Sequence, residues 1–85
     1  MKQIQYTITD PLGIHARPAG LLVKECTPFA STITMKKGEK TADCKKIFAL
    51  MSLGVKTSDT IEVIIEGSDE DQAVTIIETF LQQNL

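Results

Sequence analysis

Thr60-Ile61-Glu62-Val63-Ile64-Ile65-Glu66, followed by Gly67-Ser68-Asp69-Glu70-Asp71, is the stretch from which the fold class follows. Ile61, Val63 and Ile65 alternate against Glu62, Ile64 and Glu66, the period of a strand with one buried and one wet face. Ser68 then stands three positions before Asp71 and predicts a capped helix start, and Ala73, Ile76, Ile77, Phe80 and Leu81 make a helical apolar stripe. A parallel sheet covered on both faces has strands that read as continuous apolar runs. The alternation here leaves one face in water, so the helices must lie together on the other.

Working outward, the same period recurs at Ile4, Tyr6 and Ile8 and is broken by the turn residues Asp10-Pro11-Leu12-Gly13. Ala16, Ala19, Leu22, Val23 and Cys26 follow at three- and four-residue spacing, with Pro18 in the first turn and Pro28 beyond the last, which predicts a helix over 16–27. Ile33 and Met35 alternate with Thr32 and Thr34, and Lys37-Gly38-Glu39 turns the chain back into a short strand over 40–43. Residues 43–54 read as a short helix through Ile47, Leu50, Met51 and Leu53, ended by Gly54. The order is βαββαβα in a single domain over 1–85. The expected architecture is α+β: an open-faced β-sandwich whose four-stranded, mostly antiparallel sheet carries three helices on one face.

Composition excludes several function classes. The 85 residues are 42% hydrophobic and 24% charged, enough for one thin core and too few for a deep enclosing substrate cavity. No apolar run approaches the roughly 20 residues of a membrane span, and the N-terminus lacks the apolar segment of a signal peptide, so a cytoplasmic protein without membrane insertion is expected. Cys26 and Cys44 show no C-x-x-C spacing, which predicts reduced thiols and no metal site. Nine bases against eleven acids, with four aromatic residues and no Trp, argue against nucleic-acid binding. The charge is nonetheless divided. Arg17 to Lys56 holds eight bases and three acids, whereas Asp59 to Glu78 holds seven acids and no base, so one surface should attract an acidic protein partner.

The only histidine, His15, stands in Gly13-Ile14-His15-Ala16-Arg17-Pro18 at the N-cap of the first helix. An imidazole there faces the unpaired N–H groups of Ala16 and Arg17, the positive helix end and the fixed cation of Arg17. All of these oppose a positive ring and leave a nucleophilic nitrogen, and a phosphoryl group on that nitrogen would meet the same backbone N–H groups that bind phosphate at helix starts. Pro18 needs no N–H partner in the first turn and stiffens it. Taken as a bare pattern, a lone histidine before a helix also reads as an ordinary capping residue. No hydrolytic triad, nucleotide-binding glycine loop or calcium loop is present, so no cofactor is expected and a phosphoryl donor must come from another protein.

Three segments resemble the histidine-containing phosphocarrier (HPr) family of the phosphoenolpyruvate-dependent sugar phosphotransferase system: Gly13 to Ala19, Lys45 to Gly54, and Glu66 to Glu70. The resemblance implies that His15 accepts a phosphoryl group on Nδ1 from phospho-enzyme I and passes it to IIA domains of sugar permeases, with Arg17 stabilising the transferred charge. It makes the protein a stoichiometric monomeric carrier rather than a stand-alone catalyst. It also implies docking through Ala16, Gly20, Ile47, Phe48, Met51 and Ser52, with Lys24, Lys45 and Lys46 supplying positive charge around them. Ile47 reads equally as core, whereas Phe48 is expected in solvent. The regulatory serine that family members from low-GC Gram-positive bacteria carry at the start of the second helix is replaced by Lys46, which cannot form a phosphate ester and is a poor N-cap. Two other readings stay open: a paralogue in the nitrogen-related regulatory branch, and a partner-binding domain of the same fold that carries no phosphate.

Overall fold

The computed structural model describes residues 1–85. Its elements are β1 (Lys2–Thr7), α1 (Ala16–Cys26), β2 (Thr32–Lys37), β3 (Lys40–Asp43), α2 (Ile47–Ser52), β4 (Thr60–Glu66) and α3 (Glu70–Asn84). The strands form one sheet in the order β1-β4-β2-β3, and every adjacent pair is antiparallel. β4 thus fills the slot between β1 and β2, which run parallel to each other on either side of it.

Register explains which face is dry. Ile4 pairs with Val63, Met35 with Val63 and Ala42, and Ile33 with Ile65, so the buried alternate residues of all four strands form one apolar layer. On the opposite face Ile64 lies between Gln3 and Thr34, and Glu62 lies between Gln5 and Lys36. The dry layer packs under Ala19, Leu22 and Cys26 of α1, Leu50 of α2, and Ala73, Ile77, Phe80 and Leu81 of α3, all within one core. Burying each Leu, Ile or Phe side chain contributes about 1.5–3 kcal/mol, so this layer supplies most of the drive to fold.

Three local expectations are corrected. The α3 stripe omits Ile76, which is exposed while Ala73, Ile77, Phe80 and Leu81 are buried. Its N-cap is Asp69 rather than Ser68, and Ser68 makes no capping bond. Instead, Glu70 Oε1 accepts the Gly67 N–H at 3.1 Å. The second helix is shorter than residues 43–54, because Asp43 ends β3 and then closes a turn. Its Oδ1 accepts the Lys45 N–H at 2.9 Å and its carbonyl accepts the Lys46 N–H at 3.0 Å. Lys46 becomes the N-cap of α2 with no side-chain cap, as expected of a side chain that has donors only.

Candidate functional site

The site begins with a loop that has little freedom. Gly13 has φ +67°, and a Cβ there would lie 2.3 Å from the Val55 carbonyl oxygen, so only glycine fits this approach. The neighbouring Ile14 N–H donates to that same carbonyl at 3.1 Å, and the Ile14 side chain is buried. The Asp10 carbonyl accepts the Gly13 N–H at 3.0 Å, and Asp10 Oδ1 accepts the Leu12 N–H at 2.8 Å, an Asx turn inside the loop. Upstream, the Leu85 carbonyl accepts the Thr9 and Asp10 N–H groups at 2.6 and 2.9 Å. Strand β1, helix α3 and the segment before β4 therefore all hold the loop that delivers His15.

His15 is the N-cap of α1, with extended backbone (φ −113°, ψ −175°) and a side chain 37% exposed. Its carbonyl accepts the Ala19 N–H at 3.0 Å, but its ring makes no capping bond. The Ala16 and Arg17 N–H groups carry no protein hydrogen bond, the first turn holds no acidic side chain, and Pro18 has no N–H. Arg17 is exposed and forms no salt bridge. The ring, two free donors and a free guanidinium thus open on the same helix end, an arrangement complementary to a phosphoryl group bearing three acceptor oxygens.

One member of this group was missed in the sequence. Asp10 Oδ2 lies 3.7 Å from His15 Nε2. Asp10 reads in the sequence only as a turn former, and its five-residue distance from His15 has no helical or strand period that would flag a contact. The signal was the Asp-Pro pair itself, since an Asx turn fixes the direction of the carboxylate.

The expected docking residues lie on α1 and α2. Ala16 and Lys24 are exposed on α1, and Gly20 between them is half-buried, with the position of its missing Cβ 3.6 Å from Ile47 Cδ1 of α2. Ile47 is half-buried against the core, Met51 is exposed and Phe48 is 81% exposed. Ser52 is exposed, but its hydroxyl donates to the Phe48 carbonyl at 2.7 Å and is bound to its own helix. Lys46 is free in solvent, whereas Lys45 is half-buried and its Nζ donates to the Phe29 carbonyl at 2.7 Å. Leu21, absent from the expected patch, is exposed on α1 beside Ile76 of α3 in a groove of about 790 Å³.

The thiols stand apart from this chemistry. Cys26 and Cys44 are both fully buried, and a hydrogen bond from Cys26 together with burial pushes the Cys44 thiol far above its ordinary range. Cys44 is therefore not a thiolate nucleophile, and Cys26 has no access to solvent. No group of three or more His, Cys, Asp or Glu side chains is arranged to hold a metal, and no helix is long and apolar enough to cross a membrane.

Comparison with known proteins places these features in a family. Residues 2–83 match the family described as "PTS HPr component phosphorylation site". The phosphocarrier protein HPr of Lysinibacillus sphaericus is 47% identical over 83 residues, covering 98% of this chain and 94% of that one. The structure of the histidine-containing phosphocarrier protein of Mycoplasma superposes with a TM-score of 0.94 at 36% identity, covering 96% of this chain and 93% of that one. An HPr dimer from Thermoanaerobacter tengcongensis superposes with a TM-score of 0.77 at 34% identity, covering 98% and 95% of the two chains. Fold, sequence and the phosphoryl-complementary helix end therefore agree: this chain belongs to the HPr family, the phosphocarriers of the phosphoenolpyruvate-dependent phosphotransferase system.

Proposed function

We propose that His15 is the residue that carries the phosphoryl group, received from phospho-enzyme I and delivered to IIA domains of sugar permeases in the cytoplasm. The observation that supports this most is the open end of α1, where an exposed imidazole stands beside two unpaired N–H groups and an unpaired Arg17. In the transfer, the Nδ1 lone pair forms a bond to phosphorus as the bond from phosphorus to the donor breaks, and that electron pair leaves with the donor. The Ala16 and Arg17 N–H groups and the Arg17 guanidinium face the charge on the equatorial oxygens. Onward transfer reverses these roles. Because Arg17 has no ion pair to break, it can follow the phosphoryl group between partners without trapping it.

Phe48, Met51 and Ile47 together with Ala16, Gly20, Lys24 and Ser52 form the surface that meets both partners. An exposed aromatic ring next to an apolar ridge, with Lys24 and Lys46 nearby, suits an apolar pocket rimmed by acids. The chain works as a monomer in this reading, since each helix end and its patch are complete within one chain. Lys46 at the N-cap of α2 offers no hydroxyl, so control by phosphorylation at that position is absent.

The test supplies enzyme I and labelled phosphoenolpyruvate. Acid-labile, base-stable label on the parent chain and none on His15→Ala is the expected result, and label retained by the alanine variant would overturn the assignment.

A further inference from the structure

We infer that Asp10 is a positioning residue for His15, holding the ring proton on Nε2 so that the lone pair of Nδ1 stays available to the phosphoryl group. The inference rests on the reading of His15 as the acceptor and adds a residue to that site.

Four constraints converge on Asp10. Its N–H is tied to the Leu85 carbonyl at 2.9 Å, its carbonyl takes the Gly13 N–H at 3.0 Å, and its Oδ1 takes the Leu12 N–H at 2.8 Å. Pro11 follows it and confines its backbone to the extended region. With Oδ1 committed to the turn, Oδ2 is the oxygen left over, and it is the one that faces His15 Nε2 at 3.7 Å. No other acid pairs with His15. The Asp10 side chain is less exposed than the ring it faces, so its direction is set by the loop rather than by the partner.

The chemistry follows from which nitrogen carries hydrogen. A neutral imidazole has one N–H and one lone pair, and a hydrogen bond at one nitrogen decides the state of the other. A carboxylate accepts only, so Asp10 favours hydrogen on Nε2 and leaves Nδ1 bare. A small ring rotation closes 3.7 Å to a hydrogen bond, and functional contacts commonly tighten in the reacting complex. After transfer, the same carboxylate favours a proton on Nε2 of the phosphorylated ring. The group that departs in the next transfer is then a neutral imidazole rather than an imidazolate.

Asp10→Asn separates this role from loop structure, because asparagine keeps Oδ1 for the Leu12 N–H and replaces the oxygen at His15 with an amide. The experiment records ¹⁵N chemical shifts of the His15 ring in the full chain with a neutral ring, together with single-turnover transfer from phospho-enzyme I. In the parent the ring should carry hydrogen on Nε2. In Asp10→Asn a larger share should move to Nδ1, and the transfer rate should fall about tenfold, the low end of what partners of a functional histidine supply, with KM for the donor and the unfolding midpoint nearly unchanged. Ring shifts and transfer rate identical to the parent's would overturn the inference, as would a loss confined to the unfolding midpoint. Failure of the acceptor reading looks different: His15→Ala would still take label, while the ring shifts of Asp10→Asn would still report whether Asp10 directs the proton.

Discussion

Helices α1 and α3 both begin just after a sharp loop, and neither has a side-chain cap, yet their N-termini are prepared for opposite purposes. At α3 the acidic side chains are spent on the fold. The Asp69 carboxylate accepts the Ala30 and Ser31 N–H groups at 2.8 and 2.9 Å and the Ser31 hydroxyl, stitching α3 to the entry of β2. Glu70 takes the Gly67 N–H and the Met1 amino group, and Glu70 and Asp71 offset the positive helix end. At α1 the first turn has no acid, its N–H groups are free and Arg17 adds charge. A helix terminus left electropositive is a cost to stability that only an incoming anion repays. The difference supports the proposed use of α1 as the working end, with α3 as the fastening.

Giving α1 the electrostatics of α3 should have the largest effect. Ala16→Glu places a carboxylate in the first turn, which should stabilise the helix by about 0.3–1 kcal/mol and yet slow phosphorylation at least about tenfold by competing for the same donors. Chemical denaturation and transfer kinetics on one sample check both signs. A variant that is stabilised and transfers normally would show that the open helix end is not used.

The converse change tests the fastening. Asp69→Ala should lower the unfolding midpoint at neutral pH without a fall in transfer by the folded protein, because it strands the Ser31 hydroxyl, which belongs to a fully buried residue. It should also flatten the acid limb of stability. Ser31 and Ala30 hold the Asp69 carboxyl below its ordinary range; the Met1 amino group and the Gly67 N–H do the same for Glu70, and the Lys56 N–H and Lys37 for Asp59. Folded chains then bind fewer protons than unfolded ones. Their contribution is full above about pH 4, the unfolded carboxylate value, and is lost as pH falls through the depressed folded values. Denaturation midpoints between neutral pH and pH 2 check this, and an unchanged slope in Asp69→Ala would contradict it.

Gly20 sharpens the same contrast on the working side. A Cβ there meets Ile47 Cδ1 at 3.6 Å, an ordinary contact, so Gly20→Ala should fit and gain up to about 1 kcal/mol of stability. Without a Cβ, Gly20 leaves the surface flat for a partner, and partner KM should rise in the alanine variant. The smallest effect on folding belongs to Phe48→Ala: the ring is in solvent, so stability should change by less than about 0.5 kcal/mol while partner binding weakens by more than about 1 kcal/mol. A large midpoint loss would return the ring to the core.

Much of this was legible in the sequence. Alternation of Ile61, Val63 and Ile65 identified the dry face of β4, and the run from Gly13 to Pro18 located the loop, the helix start and its histidine, because these depend on local backbone geometry and period alone. Phe48 could be placed in solvent because one short helix has room for only one narrow core-facing stripe, already taken by Leu50 and Leu53. Lys46 could be read as a poor cap from its chemistry.

Other features belong to the tertiary structure. Period shows which face of a strand is dry but not which strand lies beside it, so the insertion of β4 between β1 and β2 had no local sign. Ser68 obeyed the spacing of a cap, but the Asp69 carboxylate reaches Ala30 and Ser31, almost forty residues away, and the chain entered α3 one residue later. Ile76 matched the stripe of α3, yet α1 and the sheet cover only the side bearing Ala73, Ile77 and Phe80. Lys45 is tied by its Nζ to the Phe29 carbonyl, a contact across the fold that no local pattern shows. The element order, the histidine and its helix end follow from local period and nearest-neighbour backbone preferences, which the chain carries without its fold. Only the fold decided that Asp10 presents its free oxygen to His15, because the local Asx turn is anchored by the Leu85 and Val55 carbonyls, which come from distant parts of the chain.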